Sequence, residues 1–157
     1  MKKVIEADFF PPGPEIEFSW SGSIARSAVE QKQRILIVDN SRDFTHATKL
    51  ALERTGRYLI YEENDATKAH RTAQSLKPDL ILLDIAMPQM DGGDVAARIE
   101  SDPELQKTPI IFLTALVTKA EAGSGLEIQG HPFLAKPISI PDLIAGIEGH
   151  PPARATF

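Results

Sequence analysis

The chain has 157 residues, 42% of them hydrophobic and 25% charged, which are the proportions of an ordinary globular domain with room for one sizeable core. A net charge of −5 and the lack of any Lys/Arg cluster argue against a polyanion partner, so no nucleic acid is expected. Cysteine is absent, which removes disulfides, thiolate metal sites and cysteine nucleophiles, and fits a reducing compartment.

The opening MKKVIEADFFPP breaks its apolar run at Glu6 and Asp8 and fails as a signal peptide, and no run reaches membrane-spanning length. The expectation is a cytoplasmic protein with no membrane contact. Pro11, Pro12, Gly13 and Pro14 break regular structure, and Ser19 to Ser27 is rich in small polar residues, so residues 1–33 read as an arm. Within it Ile16, Phe18 and Trp20 fall on one side of an extended segment. Docking of that side on the rest of the chain or on a second copy is expected, which leaves a homodimer open.

From Arg34 onward, short aliphatic runs alternate with helix-like ones, the pattern of βα units on a parallel sheet. The first strand spans Arg34–Val38 and its helix runs from Ser41 to Arg54, stopped by Gly56. A second strand, Arg57–Glu62, leads to a helix whose Ala66, Ala69, Ala73 and Leu76 share a face and which Pro78 ends. The third strand, Asp79–Leu83, includes four apolar residues in a row, as expected of a strand covered on both faces. Gly92 and Gly93 read as a turn into a helix carrying Val95, Ala96 and Ile99 before Pro103. Strand Pro109–Leu113 precedes a weak fourth helix, Lys119–Ile128, in which Gly123 and Gly125 each cost about 1 kcal/mol relative to alanine. Strand Pro132–Ala135 and a helix Ile140–Glu148, with Pro141 at its start and Gly149 at its end, complete five pairs. One domain over residues 34–149 is expected, with 150–157 as a short tail.

Parallel strands put their carboxyl ends on one edge, where ligands collect in open α/β sheets. Reading the residues at those ends gives Asp39 with Asn40, then Asp84, Thr114 and Lys136. Taken singly, each has an ordinary reading: helix capping for Asp39 and Asn40, a loop cap for Asp84, a strand-end hydroxyl for Thr114, a solvated charge for Lys136. Together they form one chemical set. Two carboxylates and an amide oxygen suit Mg²⁺, and a hydroxyl and an ammonium suit the oxygens of a phosphoryl group. Asp84, central in the set, could attack phosphorus and form an aspartyl phosphate.

The segments ILIVDN, LILLDIAMPQMDGG, PIIFLTA and PFLAKP, in this order and spacing, resemble those of the response-regulator receiver family. The resemblance covers about Arg34 to Gly149 and implies a flavodoxin-like α/β fold, a five-stranded parallel sheet in the order 2-1-3-4-5. It further implies that Asp84 accepts phosphate from a histidine kinase or phosphotransfer protein, with Thr114 binding the phosphoryl group and Lys136 pairing with it. Asp39, Asn40, the Asp84 side chain and the Ala86 carbonyl would hold Mg²⁺. Ala115 would leave access for the donor, Phe133 would be an aromatic switch that turns inward, and Lys136–Pro137 would be a cis peptide. The output would be a phosphorylation-dependent contact with a downstream protein, and enzymatic activity would be limited to self-phosphotransfer and slow self-dephosphorylation, since Ala86 and Leu116 cannot activate water.

Asn40 stands where the family usually has a second acid, which lowers the expected Mg²⁺ affinity and keeps open a non-phosphorylated interaction module of the same fold. A metal-dependent phosphohydrolase with Asp84 as nucleophile would want a general acid that Ala86 does not offer. A flavin-binding protein remains open on topology alone. His46, His70, His131 and His150 show no metal-ligand spacing, and Met87 and Met90 read as loop packing.

Overall fold

The computed structural model describes residues 32–122 and 127–150. The arm, apart from its last two residues, and the tail, apart from His150, lie outside the described residues, as does the middle of the weak fourth helix. Five strands, β1 Gln33–Val38, β2 Tyr58–Glu63, β3 Leu80–Asp84, β4 Ile110–Thr114 and β5 Phe133–Ala135, form one parallel sheet in the order β2-β1-β3-β4-β5. This is the flavodoxin-like receiver arrangement, in which the order reverses between β1 and β3. Between the strands run α1 Arg42–Glu53, α2 Ala69–Leu76 entered by a 3-10 turn at Ala66–Lys68, α3 Gly92–Glu100, α4 Lys119–Ala122 and α5 Ile140–Glu148.

Side-chain alternation divides the apolar runs between two cores. Leu36, Val38, Ile81, Leu83, Ile110 and Phe112 lie on one face with Ala69 and Ala73 of α2 and Val95, Ala96 and Ile99 of α3. Ile35, Ile37, Leu80, Leu82, Ile111 and Leu113 lie on the other with Leu52 of α1 and Leu143 and Ile147 of α5. All five residues of β3 and of β4 are buried, which explains why these strands read as continuous apolar runs. Burying each leucine or isoleucine this fully contributes about 1.5–3 kcal/mol.

The helix starts are set by side-chain caps, each worth about 1 kcal/mol. Ser41 accepts from the Phe44 N–H at 3.2 Å, Asp91 from Asp94 at 2.9 Å, and Ser139 from Asp142 at 3.2 Å. Lys77, in the left-handed region at φ 47°, ends α2 before Pro78.

Several boundaries differ from the sequence expectation. Gln33 opens β1 and does not belong to the arm, and Asp84 and Thr114 are the last residues of β3 and β4, not the first of the following loops. Gly92 and Gly93 are the first two residues of α3, capped by Asp91, and not a preceding turn. The fourth helix does not reach Ile128, because Ile128 forms an antiparallel bridge with His131 across a tight turn in which Gln129 (φ 54°) and Gly130 (φ 81°) are left-handed.

Candidate functional site

The same alternation that sorts the core aims the polar strand ends. Asp39 is in step with Ile35 and Ile37, Asp84 with Leu80 and Leu82, and Lys136 with Leu134, so all three fall on the face covered by α1 and α5. Thr114, in step with Phe112, falls on the other. Asp39 and Asp84 are 1% and 6% exposed, and Thr114 is wholly buried. Burying two carboxylates is costly without compensation.

The compensation is one ammonium. Lys136 Nζ donates to Asp39 Oδ2 at 2.5 Å and stands 3.5 Å from Asp84 Oδ1, joining positions 97 residues apart for the closer pair. Asp39 Oδ1 also accepts the Ser41 N–H at 2.9 Å. Burial, and secondarily the Asp39 carboxylate, push Asp84 above the ordinary carboxylate range, with Lys136 and the Ala86 N–H opposing in part. The Lys136 N–H donates to the Thr114 carbonyl at 2.8 Å, fixing the ends of β4 and β5 together. The Thr114 hydroxyl accepts the Leu116 N–H at 3.0 Å, which leaves its own hydrogen to donate. Thus Asp39, Asp84, Thr114 and Lys136 all stand at the carboxyl edge, and Asp39, Asp84 and Lys136 are in direct contact.

Asn40, Ala86 and Ala115 are exposed on the loops after β1, β3 and β4, and Leu116 beside Ala115 is 71% exposed. Phe133 is buried in the cluster that holds Phe112 and Leu83, so its ring is already inward. The Lys136–Pro137 peptide is cis. Two acids sharing one ammonium leave net negative charge, and the oxygens of Asp39, Asp84, Asn40 and the Ala86 carbonyl are the donor types a hard cation takes. Among the described residues there is no cluster of three or more acids and imidazoles, so such a cation would depend on the amide and carbonyl oxygens as well.

Two residues that spacing does not single out, Asn64 and Phe44, support this edge, as does Gly92 of the expected turn. Asn64 Nδ2 donates to the Asp39 carbonyl at 2.7 Å and lies 3.0 Å from Thr45 Oγ1, and that buried hydroxyl donates to Glu62 Oε1 at 2.7 Å. Gly92 is packed so closely that an added Cβ would meet the Asp84 and Ile85 backbone. Phe44 places its ring centroid 4.5 Å from Lys136 Nζ. Asn64 reads in sequence as a turn residue after β2 and Phe44 as part of a helix's apolar face, so neither carries a signal of its own. The histidines stay local: His46 near Glu62, His70 with Asp102, His131 with Glu100, and His150 with the Gly146 carbonyl.

Residues 35–148 match a family model described as the response regulator receiver domain. The chain is similar to the DNA-binding dual master transcriptional regulator RpaA of Synechocystis, 31% identical over 114 residues covering 73% of this chain and 47% of that protein. It is also similar to the phosphate regulon transcriptional regulatory protein PhoB of Pseudomonas aeruginosa, 35% identical over 114 residues covering 73% and 49%. The chain spans about half the length of these curated relatives. Among solved structures, the chemotaxis protein CheY4 of Vibrio cholerae shares the fold, with a TM-score of 0.66 and 24% identity over 76% of this chain and 98% of that one.

Proposed function

Because this chain belongs to the response regulator receiver family of two-component signalling, we propose that Asp84 is its phosphoacceptor and that a histidine kinase or phosphotransfer protein is the donor. The observation that carries this reading is the shared ammonium: Lys136 lies between two buried carboxylates, within 3.5 Å of the one at the end of the central strand. In the step proposed, an Asp84 carboxylate oxygen forms a bond to phosphorus as the P–N bond to a donor imidazole breaks, and the freed imidazole takes up a proton. The Thr114 hydroxyl, with its hydrogen uncommitted to Leu116, donates to a phosphoryl oxygen, and Lys136 offsets the charge that arrives. Ala115, with only a methyl group, leaves the approach open. Mg²⁺ held by Asp39, Asn40, Asp84 and the Ala86 carbonyl would screen the repulsion between Asp84 and the incoming phosphoryl group.

The output is a contact surface for a downstream protein, altered when Thr114 and the β4–α4 segment respond to phosphate against a Phe133 ring that already lies inward. A second reading, an interaction module that is never phosphorylated, is favoured by one observation: Asn40 puts a neutral amide, not a carboxylate, directly after Asp39. Incubation with acetyl phosphate and Mg²⁺, followed by intact mass, separates the two. An Asp84-dependent gain of one phosphoryl group, lost in Asp84→Asn, supports the phosphoacceptor; no gain in either protein supports the interaction module. The apolar Ala86 and Leu116 give hydrolytic water no base, so the phosphorylated protein should persist for minutes or longer, and a lifetime of seconds would contradict that assignment.

A further inference from the structure

The ammonium at the active edge has a third neighbour besides the two carboxylates. Lys136 Nζ lies 4.5 Å from the centroid of the Phe44 ring while it contacts Asp39 at 2.5 Å and stands 3.5 Å from Asp84. We propose that Phe44 is a positioning residue for phosphoryl transfer, its ring holding the Lys136 ammonium at the Asp39–Asp84 pair before the phosphoryl group arrives. The inference rests on Asp84 being the phosphoacceptor and adds how the cation that serves it is kept in place.

The placement follows from local structure. Ser41 caps α1 by accepting the Phe44 N–H, which fixes Phe44 in the first turn, directly after the loop that carries Asp39. Phe44 packs against the core cluster of Ile35, Ile37, Leu80 and Leu82, and that is the face to which alternation directs Asp39, Asp84 and Lys136. One side of the ring environment is therefore apolar and the other meets the ammonium.

Its effect on the lysine is specific. A lysine head on a four-carbon stem has many rotamers, and here two acids compete for it, with Asp39 the closer. Alone, that asymmetry lets the head settle on Asp39 or swing to water, in either case leaving Asp84. The negative face of an aromatic ring, 4.5 Å away, attracts the cation alongside the carboxylates and removes some of that freedom. An aliphatic side chain of similar bulk fills the same space without the ring's quadrupole, so packing and cation-holding can be separated by substitution.

The test uses the full chain. Wild type, Phe44→Leu and Phe44→Tyr are compared for the rate of phosphorylation by acetyl phosphate at saturating Mg²⁺, for thermal midpoint, and for the NMR shift of the Lys136 ε-methylene. The expected result is an upfield, ring-shifted ε-methylene in wild type and Phe44→Tyr that is lost in Phe44→Leu, with a roughly 2- to 30-fold slower transfer in Phe44→Leu alone, the span of a cation–π contact from exposed to desolvated. Should Phe44→Leu not fold, Phe44→Met, also long and apolar, takes its place. A Leu or Met variant that transfers at the wild-type rate, or a Lys136 ε-methylene that is unshifted in wild type, overturns the proposal. If wild type takes up no phosphate, the phosphoacceptor reading itself fails and so does a role for Phe44 in transfer, while the ring-shifted resonance still reports whether Phe44 holds the cation.

Discussion

Replacing Gly92 with alanine tests how tightly α3 is set against the strand that carries Asp84. In an unobstructed helix this change gains about 1 kcal/mol, since glycine is the poorer helix former. At Gly92 the added Cβ would lie 2.8 Å from Ile85 Cα and 3.1 Å from the Asp84 carbonyl carbon, closer still to the Asp84 carbonyl oxygen, where ordinary contact begins at 3.4 Å. These are backbone atoms, so no rotamer change relieves the overlap. The Gly92 N–H also donates to the Ile85 carbonyl at 2.7 Å and ties the helix start to the same loop. Overpacking of this kind costs about 1–3 kcal/mol, and the fixed backbone puts it at the upper end. A net loss of about 1–2 kcal/mol is therefore expected, a fall of about 4 °C or more in thermal midpoint for a domain of this size. Gly93 provides the control. Its Cβ would come within 2.6 Å of Gln129 Nε2, the far end of a flexible side chain that can move aside, and 3.2 Å from the capping Asp91 Oδ1, with no backbone atom in the way, so Gly93→Ala should cost clearly less than Gly92→Ala. Urea unfolding of both variants, read at constant m-value, measures the difference, and phosphorylation by acetyl phosphate shows whether displacing the Asp84 backbone also slows transfer. Equal stability of Gly92→Ala and Gly93→Ala would refute the reasoning.

Two further outcomes follow, one from the site and one from the turn after α3. Asn40→Asp adds a carboxylate beside Asp39, and one charge at close range is worth about 1 kcal/mol even in a water-like dielectric, so Mg²⁺ should bind at least about fivefold tighter; titration with magnesium that finds equal affinities contradicts this. Asp102 is held down to about 2 by the Gln74 side-chain amide, then the Glu104 N–H and the His70 ring. A carboxylate with a depressed folded value contributes stability that is present above its unfolded value near 3.9 and is lost as pH falls toward the folded one. Asp102→Ala should therefore be less stable than wild type at neutral pH, with a deficit that narrows between about pH 4 and pH 2. Urea unfolding across that range checks it, and a deficit that stays constant with pH would count against the assignment.

The amino-acid sequence by itself determined the sheet and the residues at its edge. Runs such as Leu80–Leu83 and Ile110–Leu113 are buried on both faces, and burial on both faces leaves an unbroken apolar signature that spacing then orders into five βα units. Because parallel strands share one carboxyl edge, Asp39, Asp84, Thr114 and Lys136 could be gathered from linear positions alone. The strand ends were less legible, since a residue such as Asp84 can keep the ladder while breaking the apolar pattern that marks it. The fourth helix stops short of Ile128 because a left-handed Gln129–Gly130 turn pairs Ile128 with His131 instead.

What only the tertiary structure decided is which groups touch that edge. Asn64 on the Asp39 carbonyl, Phe44 against the Lys136 ammonium and Gly92 beneath the Asp84 carbonyl all connect different elements. Periodicity records which side of an element is buried, and caps record where it begins. Neither carries the distance between a helix and the strand end beside it, which depends on how both pack against the shared core.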